Sequence, residues 1–198
     1  MADEGLRVVV KGWEDGQKME KEIEEPDRWS VQAGDTIFVE SPTEYGVSVT
    51  VTQKRDDLKE VGVGALVWEG ALVLSQHVSR LPPGKLRGAR VVELGAGLGL
   101  VGLLAAKRGA RVTLTDVAAL LPSLESNSSA NQPMPEPGTV EIAELEWGSA
   151  GAPAAIEVIK EAGPIDFVLA ADFLYPETPG LHGNIHLEAG HPVADAFF

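Results

Sequence analysis

The apolar positions along the chain change their spacing once, and the change divides the sequence. In the first fifty-odd residues they come in short runs between turns. Residues 6–10 form one compact apolar run and 36–39 another. Residues 47–52 alternate apolar and polar side chains, as a half-buried strand requires. Residues 41–46, with Pro42 and Gly46, read as the turn between the last two. Residues 18–27 are rich in charge and read as solvated, and 54–60 as a charged connector. These segments predict a small antiparallel sheet.

Further on, Ala71, Leu72, Leu74, Val78 and Leu81 recur at helical spacing, and Pro82-Pro83-Gly84 ends that helix. A regular alternation follows. Strands are predicted over 90–94, 111–115, 140–145 and 165–171, and helices over 100–106, 117–130 and 153–162. Residues 132–138 form a proline-rich loop. Strands alternating with helices predict parallel βαβ units, hence an α/β fold with a Rossmann-like doubly wound sheet. The run 165–171 is apolar apart from Asp166 and is expected in the middle of that sheet. After Tyr175 the pattern stops: residues 176–198 mix glycines and prolines with scattered apolar side chains.

Composition narrows the function. The 198 residues are 44% hydrophobic and 23% charged, with no cysteine and a net charge of −14. Thiolate chemistry and zinc–cysteine sites are therefore excluded. So acidic a surface repels phosphate backbones and disfavours a nucleic-acid partner, while it suits a cationic one. No run is long enough to cross a membrane, and the N-terminus lacks a basic, apolar leader. A cytoplasmic protein, or a nuclear one, is the expectation. His182, His186 and His191 lie in the tail without evident carboxylate partners, so no metal site is expected.

The chemistry concentrates after the first strand of the alternation. Glu93-Leu94-Gly95-Ala96-Gly97-Leu98-Gly99 joins that strand to a helix, where doubly wound sheets bind nucleotide-like ligands. Leu100 stands where a dinucleotide fingerprint needs its third glycine. Glu93 would oppose a pyrophosphate but suit a cation. Asp116 ends the next strand, 21 residues after Gly95, where an acid meets ribose hydroxyls. A cationic, phosphate-free ligand such as S-adenosylmethionine fits these three features better than NAD or FAD. Taken singly, the tryptophans could be core aromatics, and Asn127 and Asn131 could simply end their helix.

Taken in order, the motifs resemble the seven-β-strand protein-lysine methyltransferases of the methyltransferase family 16 type. Gly64-Ala65-Leu66-Val67-Trp68-Glu69-Gly70-Ala71 resembles the segment before their cofactor fold. The glycine loop and Thr115-Asp116 resemble their cofactor motifs. Asn127 and Asn131 resemble positions of the following helix. Leu145-Glu146-Trp147-Gly148 and Ala170-Ala171-Asp172-Phe173-Leu174-Tyr175 resemble two strand-end motifs that generic methyltransferases lack.

This resemblance implies a cofactor site of Trp68, Glu93, Gly95, Ala96, Gly97, Asp116, Trp147 and Ala171. It places Asp172 and Tyr175 at the substrate lysine. It implies S-adenosylmethionine as cofactor and a protein substrate, with chaperone-type ATPases among those of the family. It divides the chain into a strand-rich extension (1–60), a methyltransferase core (61–177) and an atypical tail (178–198). The family continues with further strands after the tyrosine, so a shortened chain is expected, with 165–171 left as a sheet edge. The competing reading is a non-catalytic form that holds cofactor or a partner without turnover.

Overall fold

A computed structural model describes residues 6–14, 16–23, 28–41, 46–54 and 57–173. Two sheets organise them. The first is antiparallel and built from β1 (Arg7–Glu14), β2 (Gln17–Ile23), β3 (Thr36–Glu40) and β4 (Ser48–Thr52), in the order β2-β1-β3-β4. A short helix α1 (Arg28–Val31) connects β2 to β3, and a second, α2 (Leu58–Val61), follows β4. The second sheet is wholly parallel. Its strands are β5 (Arg90–Leu94), β6 (Arg111–Asp116), β7 (Thr139–Glu144) and β8 (Phe167–Ala170), in the order β7-β6-β5-β8. Around it stand α3 (Glu69–Arg80), α4 (Leu100–Lys107), α5 (Leu121–Ala130) and α6 (Ala152–Glu161). The expected α/β, Rossmann-like arrangement and its antiparallel companion are both present.

The helix α4 explains how the two sheets share one core. Every residue from Leu100 to Ala106 is buried. A helix apolar on all sides must be covered on all sides. It packs against β5, β6 and β7 below, α3 beside it and β4 above. Val8, Val10, Ile37, Val39, Val49 and Val51 of the antiparallel sheet thus join Leu103, Leu104, Val112 and Leu114 in one cluster. On the opposite face of the parallel sheet, Val92 and Leu94 pack with Ile156 and Ile159 of α6. Alternation along β5 therefore feeds two cores, which is why 91–94 reads as continuously apolar apart from Glu93.

Three local departures from the sequence expectations have physical causes. The charged stretch 18–27 is indeed solvated as far as it is described, but residues 17–23 are a strand. Seven register pairs bind it to β1, and of its side chains only Ile23 is buried. The connector 54–60 contains the first residues of α2. The helix predicted over 117–130 starts as a 3-10 turn (Ala118–Leu120), and Pro122 then sits in the first turn of α5, where its missing N–H costs no bond. The turn 42–45 and residues 174–198, which include Tyr175 and the three tail histidines, lie outside the described residues. Among the described residues β8 pairs with β5 alone, and its four side chains are half-buried.

Two asparagines lock the sheets together. Asn131 Oδ1 accepts the Thr50 N–H at 2.9 Å while its amide donates to Thr50 O at 2.7 Å. One helical turn away, Asn127 does the same with Thr52, at 2.9 and 3.3 Å, and also donates to Leu98 O at 3.1 Å. Four helical residues rise about 6 Å and two strand residues about 6.6 Å, so the two spacings match. Side chains of α5 and of its C-cap, Asn131, thus serve as a hydrogen-bonding partner for the outer edge of β4.

Candidate active site

The carboxyl ends of β5, β6 and β8 and the loop after β7 surround one cleft of about 430 Å³. Trp68, Glu93, Gly95, Ala96, Gly97, Asp116, Trp147, Ala171 and Asp172 all line it. The candidates separated by more than a hundred residues in sequence are thus brought together, with Tyr175 alone outside the described residues. The position agrees with the rule that open α/β sheets bind ligands beyond their carboxyl ends.

The glycine loop forms the floor. Gly95, Gly97 and Gly99 all have positive φ, at 63°, 55° and 83°. This left-handed backbone favours glycine. Ala96 N–H donates to Thr115 O at 2.9 Å, which fastens the loop to β6. The Gly97 N–H donates to Asp116 Oδ2 at 2.7 Å, and the Val117 N–H to Asp116 Oδ1 at 2.8 Å. Burial pushes the Asp116 carboxyl above its ordinary range, and these two N–H donors oppose the shift. Each Asp116 oxygen retains a lone pair that a hydroxyl can address.

Glu93 is 3% exposed, and its Oε2 accepts the Gly102 N–H at 2.8 Å. The cap residue of α4 is Gly99, which has no side chain, so Glu93 serves an N–H of the first helical turn from the neighbouring strand. Gly102 makes this possible, because a β-carbon there would fall 2.5 Å from Glu93 Oε2. Burial raises the Glu93 carboxyl to about 8; the Gly102 N–H lowers it and the charge of Asp116 raises it further. Glu93 thus has a structural role, a bond to α4 that strand-and-loop reasoning missed. A lone acid in a strand buried on both faces is the signal for such a bond.

The walls are aromatic. Trp147 follows β7, and its ring lies against Gly95. Its Nε1 is buried and, among the described residues, has no acceptor. Trp68 donates its Nε1–H to Val63 O at 2.8 Å, which holds the ring against the 3-10 turn Val63–Ala65. Behind it, Gln53 is 1% exposed and tied on three sides. It donates to Val31 O at 2.9 Å and Gly34 O at 2.7 Å, and accepts the Val67 N–H at 3.0 Å. It anchors the Trp68 wall to the antiparallel sheet, a function that its polar surroundings in sequence concealed.

Asp172, just past β8, is the one non-glycine residue with positive φ among the described residues, at 53°. Strained backbone of this kind persists where surrounding contacts over-determine it. Here the contact is the N-terminus of α3: the Ala71 N–H donates to Asp172 Oδ2 at 3.1 Å. Together with Glu93, Asp116 and Glu146, Asp172 makes four carboxyl groups in the lining, and no lysine, arginine or histidine lines the cleft among the described residues. Among the described residues, no group of histidine and acidic side chains is arranged to hold a metal ion, and no helix is long and apolar enough to cross a membrane.

A parallel Rossmann-like sheet with an acidic cleft beyond its carboxyl ends places the protein among the α/β folds that bind a ligand at that position. The comparison with known families is specific: residues 49–179 match the lysine methyltransferase family, and the chain belongs to it. The chain is similar to the protein N-lysine methyltransferase METTL21A of Mus musculus, 42% identical over 125 residues, or 63% of this chain and 54% of that protein. It is 37% identical to METTL21A of Danio rerio over 159 residues, 78% of this chain and 69% of the relative. It is also 37% identical over 154 residues to EEF1A lysine methyltransferase 3 of Mus musculus, 74% and 59% of the two chains. The chain thus spans between about half and two thirds of these relatives' length.

Proposed function

We propose that the protein is an S-adenosylmethionine-dependent methyltransferase acting on lysine side chains of a protein substrate. The observation that carries this reading is the charge of the cleft: four carboxyl groups and no basic side chain among its described lining residues. Such a site opposes a pyrophosphate and favours a ligand with net positive charge. The fit extends to detail. Asp116 has acceptor capacity at the end of β6, the glycine floor admits close backbone approach, and the Trp147 indole N–H awaits an acceptor. The names of the relatives add that proteins are the substrates of this family's members.

S-adenosylmethionine, when bound, supplies an electrophilic methyl group on a positively charged sulfur. Glu93 and Asp116 would make the cleft favourable for that charge, and Gly95 and Trp147 would hold the ligand's base. In this reading Asp172, in the lining of the cleft, receives the substrate amine. A free lysine has a pKa of about 10.4, so the amine arrives protonated and must release that proton to solvent before it attacks. The Asp172 carboxylate, oriented by the Ala71 N–H, accepts a hydrogen bond from the nitrogen and aims its lone pair. Trp68 and Trp147 exclude water from the line of transfer.

The test is incubation of the protein with labelled S-adenosylmethionine and a cell lysate, followed by mass spectrometry of modified lysines. Transfer to lysine is expected; binding of the cofactor product without transfer would select the non-catalytic reading. A cytoplasmic location, and a chaperone-type ATPase as substrate, belong to the same proposal and are checked by the identity of the labelled protein.

A further inference from the structure

Among the acids of the cleft, Glu93 differs in its surroundings. Asp172 reaches the start of α3 and Asp116 two loop amides, both as partly exposed residues. Glu93 is sealed between α4 and the sheet, with Leu114 as its register partner on one side and Leu169 on the other. The one charged side chain that bears on it is negative: Asp116, at the end of β6. Glu146 and Asp172 line the same cleft, and no basic side chain does among the described residues. Helix α3 has Glu69 in its first turn and His77 and Arg80 in its last; α4 carries no titratable side chain before Lys107. One N–H bond, from Gly102, is the favourable contact for an ionised Glu93. A carboxylate buried beside a like charge takes up a proton until a cation arrives.

We infer that Glu93 is protonated while the cleft is empty and ionises when a cationic ligand enters, so that it distinguishes the sulfonium donor from its neutral thioether product. The inference rests on the S-adenosylmethionine reading. In balance, the carboxyl group gives one proton to solvent, and the resulting carboxylate is the charge in the lining that a positive sulfur would pair with. After methyl transfer the sulfur is neutral, the carboxylate loses its partner, and it recovers a proton from solvent. Product is then held without the charge contact that favoured the donor. The burial of Glu93, which raises its carboxyl to about 8, puts this exchange within reach at neutral pH. Affinity for the cation should rise with pH up to that region and level off above it, because the proton must leave before the contact forms.

The experiment is titration calorimetry of the whole protein at pH 7.5 in buffers of different ionisation enthalpy, with S-adenosylmethionine and with S-adenosylhomocysteine. The expected result is that the donor releases on the order of half a proton more than the product. The donor's affinity relative to the product should also rise about threefold to tenfold from pH 6.5 to 8.5. Glu93→Gln keeps an acceptor for Gly102 N–H and should abolish both differences. Equal proton counts for the two ligands in the unsubstituted protein would overturn the inference, as would a difference that survives in Glu93→Gln. If neither ligand binds, the S-adenosylmethionine reading itself falls. Should the variant not fold, the comparison of the two ligands in the unsubstituted protein decides alone.

Discussion

The ring of Trp147 sits so close to Gly95 that a β-carbon on that glycine would fall 2.8 Å from Trp147 Cη2. One residue closes β5 and the other closes β7, yet together they form a single corner of the cleft. Gly95→Ala therefore meets two penalties, the ring and a φ of 63°. The strained backbone alone costs about 1–2 kcal/mol. Binding of S-adenosylhomocysteine, followed by calorimetry, should weaken at least about tenfold. Trp147→Ala should weaken it by a similar factor, and Trp147→Phe should recover most of the loss by restoring the wall.

Asp172 is expected to matter to transfer and little to cofactor affinity. Asp172→Asn tolerates the positive φ of 53° but removes the charge that orients the amine. Lysine methylation should fall by about a hundredfold, within the usual range for a positioned acid–base group. The affinity for S-adenosylhomocysteine should change less than about threefold, a difference under 1 kcal/mol. Loss of both together would remove Asp172 from the role proposed for it.

Glu93 makes stability depend on pH. Its carboxyl is raised to about 8 from an ordinary value of 4.5, so between these values the folded chain binds more protons than the unfolded one. Stability from this group is full below the lower value and is lost as pH rises through the upper one. The ligand-free protein should lose on the order of 1–4 kcal/mol relative to Glu93→Gln between pH 5 and pH 8.5. Thermal melts of the two proteins across that window measure it; a constant difference in Tm would contradict the burial argument.

The ladder between α5 and β4 predicts a local effect. Asn131→Ala leaves the Thr50 N–H and C=O without partners, at about 1–3 kcal/mol. Hydrogen exchange should show the Thr50 amide opening faster, with amides of β6 unaffected. Asn127→Ala should act likewise on Thr52 and also free Leu98 O, beside the glycine loop.

The parallel half of the fold was readable to within a few residues at each element because its central strands are buried on both faces and its helices on one or all. Strand β5 occupies the very residues predicted, 90–94, and α3 stops where Pro82 demands. The strand β2 was not readable. Paired on one side and polar on both faces, Gln17-Lys18-Met19-Glu20-Lys21-Glu22 carries no alternation to detect. In the site, the glycines and acids announced themselves through their order along the chain. Gln53 and the bond from Glu93 to Gly102 did not, because each depends on a partner delivered by tertiary packing: Val67 in one case, a helix terminus in the other.

The amides of Asn127 and Asn131 also decide how the protein behaves in a crowded solution. A sheet invites other chains at its unpaired margins. In the antiparallel sheet one margin, β4, is already spoken for by these two side chains. The other, β2, exposes Lys18, Glu20, Lys21 and Glu22, whose alternating charges discourage an incoming strand. The strand-rich half thus carries its own protection against self-association, and a helix supplies half of that protection in place of a fifth strand.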